Sequence, residues 1–212
     1  MAKRPAFFIR QGKVVHEMFS FEWYPGFSIS QKQKSIQSLH DAIAETDGAA
    51  RPLEISTKSQ EPLGIRLSAF HLKIKNHTLE NVFQSAKVFE HGGPYLDLLD
   101  RSPKEAKRDE RLRTSGNLTA FLYQKEAFPL VPKTVFYDFL YLTAVRDSFT
   151  VEEIHSILSY NYFTDIEFNP SKSINTQART AAMLKLIAEE YGYLPPFEKE
   201  DFIQYHKEHI TY

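Results

Sequence analysis

Between Leu67 and Phe89 the chain reads LSAFHLKIKNHTLENVFQSAKVF, and here the apolar period changes within a few residues. From Phe70 to Lys75 apolar and polar residues alternate, the period-two mark of a half-buried strand. His77-Thr78 reads as a turn, with Thr78 placed to cap the helix that follows. In that helix Leu79, Val82, Phe83 and Ala86 share one face, and His91-Gly92-Gly93-Pro94 is the predicted stop.

The polar residues of the same helix are also patterned. Glu80, Gln84 and Lys87 are spaced i, i+4, i+7 and, at about 100° per residue, fall in one stripe. A carboxylate, an amide and an ammonium in a row suit a polyhydroxyl ligand, or proton transfer on one. On spacing alone the commoner meaning is a solvated flank with a weak pair.

At 212 residues, with 42% hydrophobic and 25% charged residues, the chain can bury one sizeable core. A net charge of -1 gives no global field for nucleic acid, so any such contact must be local. Without Cys, disulfides and thiolate metal sites are excluded and a reducing compartment fits. No apolar run reaches about 18 residues and MAKRPAFFIRQGK has no signal-peptide core, so the cytoplasm is the expected location. Glycine-rich phosphate loops, H-E-x-x-H, EF-hand and G-x-S-x-G motifs are absent from the sequence. Neither a metal nor a cofactor is expected; His206 and His209 read as two exposed tail histidines.

Upstream, Phe7-Phe8-Ile9 and Val14-Val15 flank Gln11-Gly12 as a hairpin, and Phe19 to Trp23 alternates up to Pro25-Gly26. Phe21, Trp23 and Tyr24 form either a core-facing edge or an aromatic wall for a nucleobase. Ser28 opens a helix to about Glu45, with Ile36, Leu39 and Ile43 buried. Its first turn holds Gln31, Lys32, Gln33 and Lys34. Cations there oppose the helix dipole, at about 0.3–1 kcal/mol each. The lysines are either solvated or serve a phosphate or single strand, and Lys34 or Lys32 is the candidate covalent nucleophile toward a sugar aldehyde. Thr46 to Pro52 reads as a connector, dividing an N-terminal lobe (1–50) from a body (51–212).

Downstream, capping boxes are predicted at Ser102–Glu105 and Thr150–Glu153 and a helix from Pro132 to about Asp147. Leu118–Phe128 reads as aromatic and irregular. A last long helix is predicted from Thr176 to about Tyr191, stopping at Gly192.

The pattern Leu67, Ser68, Phe70, Thr78, Glu80, Phe83, Gln84, Lys87 resembles the core signature of the NADAR/YbiA-like family, with Ala69 where that signature has Asn. A second block, Tyr162 to Leu184, is similar in Asp165 and Asn175 but lacks the family's Trp-Gly and later glycines. The lobe containing WYPGFSISQKQKSIQSLH looks like the branch associated with DarT-family ADP-ribosyltransferase toxins.

The resemblance implies a predominantly helical α+β fold: a YbiA-like body with few short strands and an N-terminal hairpin–helix lobe. It implies an antitoxin that removes ADP-ribose from guanine bases of single-stranded DNA by cleaving the base–ribose C–N bond. The alternatives are an N-glycosidase on a phosphoribosylamino-pyrimidine of riboflavin synthesis and a non-catalytic ADP-ribose reader. Glu80 is then the catalytic carboxylate, with Lys34 or Lys32 as the lysine. Glu54, Ser56, Ser59, Gln84, Lys87, Asp165, Asn175, Trp23 and Gln31 are the expected substrate contacts. The cognate toxin is the expected protein partner.

Overall fold

A two-residue turn at Gln11-Gly12, with φ of 53° and 69°, joins strands β1 (Ala2–Arg10) and β2 (Lys13–Phe21) into the hairpin the sequence predicts. Two successive positive φ values match the right-handed twist of paired strands. The structure, a computed structural model, describes residues 1–169, 171 and 176–211. After the hairpin come α1 (Ile29–Thr46), β3 (Pro52–Glu54), α2 (Pro62–Arg66), β4 (Lys73–Ile74), β5 (His77–Thr78) and α3 (Leu79–Ser85). Next are β6 (Lys87–Phe89), α4 (Pro103–Arg108), α5 (Arg111–Thr114), β7 (Leu118–Tyr123), β8 (Glu126–Phe128) and α6 (Val135–Ser148). The chain closes with α7 (Val151–His155), β9 (Tyr162–Thr164), α8 (Gln177–Tyr191) and α9 (Lys199–His209). The class is α+β.

Two compact units make up the chain. The first comprises Met1–Ser68, Phe149–Pro195 and Glu208–Tyr212. Its sheet has the order β2-β1-β9-β3, antiparallel except for the parallel pair β3/β9. Ala6, Phe8, Phe19 and Phe21 meet Ile36, Leu39 and Ile43 of α1 in one core that also takes in Tyr162 and Ile166. These are the alternate strand positions and the i, i+3, i+7 positions of an amphipathic helix. Ser28 caps α1 by accepting from Gln31 N, and α8, buried over most of its length, packs on β1, β2 and β9 before Gly192 ends it at φ 74°. Near the end of this unit His209 Nδ1 lies 2.7 Å from Gly12 O.

The second unit comprises Ala69–Ser148 and Pro196–Lys207. Its core is aromatic: Phe136 lies 4.6 Å from Phe121, 5.0 Å from Phe128 and 6.1 Å from Phe83 between ring centroids. Such pairs add about 0.5–1.5 kcal/mol each beyond buried area. His206 is fully buried here, Nε2 2.9 Å from Asp138 Oδ2, which also accepts from Thr134 Oγ1 at 2.8 Å. The expectation of two exposed tail histidines is therefore corrected: a buried carboxylate needs donors, and α9 supplies one.

Two more expectations change in this unit. Of the stretch Phe70–Lys75 read as a strand, pairing is confined to Lys73–Ile74 with His77–Thr78, so His77-Thr78 is a strand and Lys75-Asn76 the turn, with Lys75 at φ 55°. The helix stops at Ser85, well before His91, because Lys87–Phe89 pairs with β7 (Lys87↔Phe121). Leu118–Phe128, read as irregular, is the hairpin β7–β8.

Candidate active site

In the first unit two carboxyl groups are buried together where the parallel strands β3 and β9 end. Glu54 is the last residue of β3 and pairs in register with Thr164, the last of β9; Asp165 follows it. Glu54 Oε2 accepts from Thr164 Oγ1 at 2.7 Å and Oε1 from Ile166 N at 2.8 Å, and the Ser56 hydroxyl is a third donor. Burial still pushes the Glu54 carboxyl above its ordinary value. Asp165 Oδ1 accepts from Glu167 N (3.1 Å) and Phe168 N (3.2 Å), with Gln177 also bonded to the group. Burial first, and the charge of Glu54 second, push Asp165 up to about 8. Two like charges in a desolvated site cannot both form cheaply, so the pair holds a proton at neutral pH.

The loop after β3 is shaped around this pair. Ser56 Oγ accepts from Lys58 N and Ser59 Oγ from Glu61 N, turning the chain sharply into α2. A Cβ on Gly64 would lie 2.0 Å from Glu54 O and 2.5 Å from Ser59 Oγ, so α2 approaches the strand only because residue 64 is glycine.

Lysines 32 and 34, two positions apart on α1, point to different sides, as about 100° per residue requires. Lys32 Nζ lies 3.2 Å from Glu167 Oε1 and 4.8 Å from the centroid of Trp23. Arg4 Cζ lies 5.4 Å from the same indole, making Trp23 a half-buried ring with two cations on it. The charge of Glu167 also reaches Glu54, which ties Lys32 to the carboxyl pair. Lys34 instead lines an open groove of about 700 Å³ with Glu22, Tyr24, Gln37, Asp41 and Glu45. Gln31 Oε1 is buried without a hydrogen-bond partner among the described residues.

In the second unit Thr78 caps α3 by accepting from Asn81 N, and Asn81 Nδ2 donates to the carbonyls of Leu98, Leu99 and Arg101. This fixes the short helix that carries Glu80 and Gln84. Gln84 Nε2 donates to Glu80 Oε1 at 2.7 Å, while buried Gln84 Oε1 has no partner among the described residues. Lys87 belongs to β6, not to the helix, yet its amine stands 5.1 Å from the Phe83 ring centroid. Burial pushes that amine down and Lys107 adds to the effect, against the opposing charge of Glu80. Asn175 lies outside the described residues.

A family model for the DarT1-associated NADAR antitoxin matches residues 2–211. The chain belongs to this family. No curated protein matches it at a significant level. Within this NADAR antitoxin, Thr164, His40, Glu167 and Gly64 take part in the first-unit cluster, and Arg4 lies over Trp23, although none of them is an expected site residue. Among the described residues no group of three or more His, Asp or Glu is arranged to hold a metal, and no helix is long and apolar enough to cross a membrane. What the first unit offers chemically is a carboxylic acid holding a proton at neutral pH, a second carboxyl, and an amine with an adjacent proton acceptor.

Proposed function

We infer that this NADAR antitoxin is an ADP-ribosyl glycohydrolase that releases ADP-ribose from guanine bases of single-stranded DNA and so counteracts a DarT-type toxin. The family membership supports the antitoxin role. The observation that carries the chemistry is the buried Glu54/Asp165 pair, with Asp165 pushed up to about 8. Cleaving a base–ribose C–N bond needs a proton on the leaving nitrogen and a negative group near the developing cation.

Asp165 donates its proton to the base nitrogen, which takes the bond's electron pair. The Glu54 carboxylate stabilises the positive charge at the anomeric carbon. Lys32 passes its ammonium proton to Glu167 and its lone pair adds to that carbon; one proton of the added nitrogen then moves to the ring oxygen as the bond from that oxygen to the anomeric carbon breaks, leaving an iminium. Water then adds to the iminium and its proton returns to the Asp165 carboxylate; the ring hydroxyl closes on the anomeric carbon, its proton going to the departing Lys32 amine, and Glu167 returns its proton to restore the ammonium. Trp23, Gln31, Ser56 and Ser59 are the substrate-contacting residues of this scheme.

A second reading puts the catalytic carboxylate at Glu80, favoured by its bond from Gln84 and by the desolvated Lys87 amine. Two variants separate the readings. In the first, Asp165→Asn binds ADP-ribose but releases none from modified DNA while Glu80→Ala still turns over; in the second, the outcomes are reversed. A panel including a phosphoribosylamino-pyrimidine tests the small-molecule glycosidase alternative, and binding without turnover by the wild-type protein marks a reader.

A further inference from the structure

His40, on α1, closes the Trp23–His40 stretch but is not among the expected site residues, yet its Nε2 lies 2.9 Å from Thr164 Oγ1, the hydroxyl that touches Glu54 Oε2 at 2.7 Å. Thr164 has one hydroxyl proton and two neighbours that compete for it. If His40 Nε2 carries hydrogen, Thr164 accepts from it and gives its own proton to Glu54 Oε2, a bond that favours the ionised carboxylate. If Nε2 is bare, Thr164 donates to His40 and its lone pairs face Glu54 Oε2, which must then be protonated. The imidazole tautomer and the charge on Glu54 are therefore linked: a bare Nε2 requires a proton on Glu54, and an Nε2–H favours its ionised form.

The rest of the site favours the first arrangement. Each carboxyl has three donors, but both Glu54 oxygens face short ones, whereas the two backbone donors of Asp165 share Oδ1 at longer distances and Gln177 supplies its third. His40 is neutral through the physiological range, because burial pushes it down to about 4 against the charge of Asp41. Beyond the pair itself, the charge acting on Glu54 is that of Glu167, which is ion-paired with Lys32 at 3.2 Å.

We propose that His40 is a positioning residue: its Nε2–H tautomer, transmitted by the Thr164 hydroxyl, fixes Glu54 as the ionised member of the pair and leaves the proton on Asp165. The proposal rests on the glycohydrolase reading for its kinetic consequence but not for its structural one. The structural arm is the ¹⁵N spectrum of the wild-type protein with labelled histidine, the His40 signals being assigned by their loss in His40→Gln. An Nε2–H tautomer is expected at pH 7, and an Nδ1–H tautomer with bare Nε2 overturns the proposal whatever the activity. The kinetic arm is the pH profile of ADP-ribose release from guanine-modified single-stranded DNA. Thr164→Val should lower kcat about tenfold, leave KM within about twofold and move the acid limb to higher pH, and Thr164→Ser should restore the profile. A wild-type profile in Thr164→Val refutes the relay, whereas a wild-type protein that releases nothing refutes the glycohydrolase reading and leaves the tautomer to decide.

Discussion

Lys32 Nζ is held 3.2 Å from Glu167 Oε1 and over the face of Trp23, whereas Lys34, two residues on, faces an open groove. Only Lys32 shares a carboxylate neighbour with the buried pair. Lys32→Ala is therefore expected to lose release of ADP-ribose by about a hundredfold or more, and Lys34→Ala to stay within about twofold. Borohydride added during turnover, followed by peptide mass analysis, should find the reduced sugar adduct on Lys32.

Asp165 carries a signature in stability as well as in rate. Its folded-state value, about 8, is above the ordinary 3.8, so between those limits the folded chain holds a proton that the unfolded chain has lost. The stabilisation is complete below the ordinary value and disappears as pH rises through the folded one. Asp165→Asn removes the ionisation, so its melting temperature relative to wild type should rise from pH 5 to pH 9. Parallel melting curves across that range, from dye-based scans, contradict the assignment.

Gly64 supplies a steric test of the same site. Glu54 O and Ser59 Oγ leave no space for a methyl group, so Gly64→Ala must push α2 away from β3. We expect a loss of about 1–3 kcal/mol in urea unfolding, and a fall in turnover greater than that stability loss explains. Full activity with unchanged stability is the contrary result.

Much of the fold was legible because the relevant signals are local. The Gln11-Gly12 hairpin, the Ser28 and Thr78 caps, both capping boxes and the Gly192 stop each lie within a few residues of what they control. The hairpin β7–β8 was hidden because its turn residues, Gln124 and Lys125, adopt φ of 49° and 71° without a glycine or asparagine to mark them. Strand β6 was hidden because Lys87-Val88-Phe89 continues the apolar spacing of α3, and only pairing with β7 decides against helix. At the site, Glu54 and Asp165 came from the family resemblance. Their partners did not, because Thr164 is 110 residues from Glu54 and 124 from His40, contacts that only the β3/β9 pairing and the docking of α1 create.

The buried Asp138–His206 pair makes a prediction for the second unit. His206→Leu removes a donor from a carboxylate with no access to water and should cost about 1–3 kcal/mol. Chemical denaturation checks this, and an unchanged midpoint shows that the bond contributes nothing.

The central claim is tested most directly by incubating the protein with guanine-ADP-ribosylated single-stranded DNA and weighing the products. Free ADP-ribose and an unmodified strand are predicted for wild type, with the modified strand recovered intact from Asp165→Asn. A strand that keeps its modification with the wild-type protein, or full release by Asp165→Asn, contradicts the account.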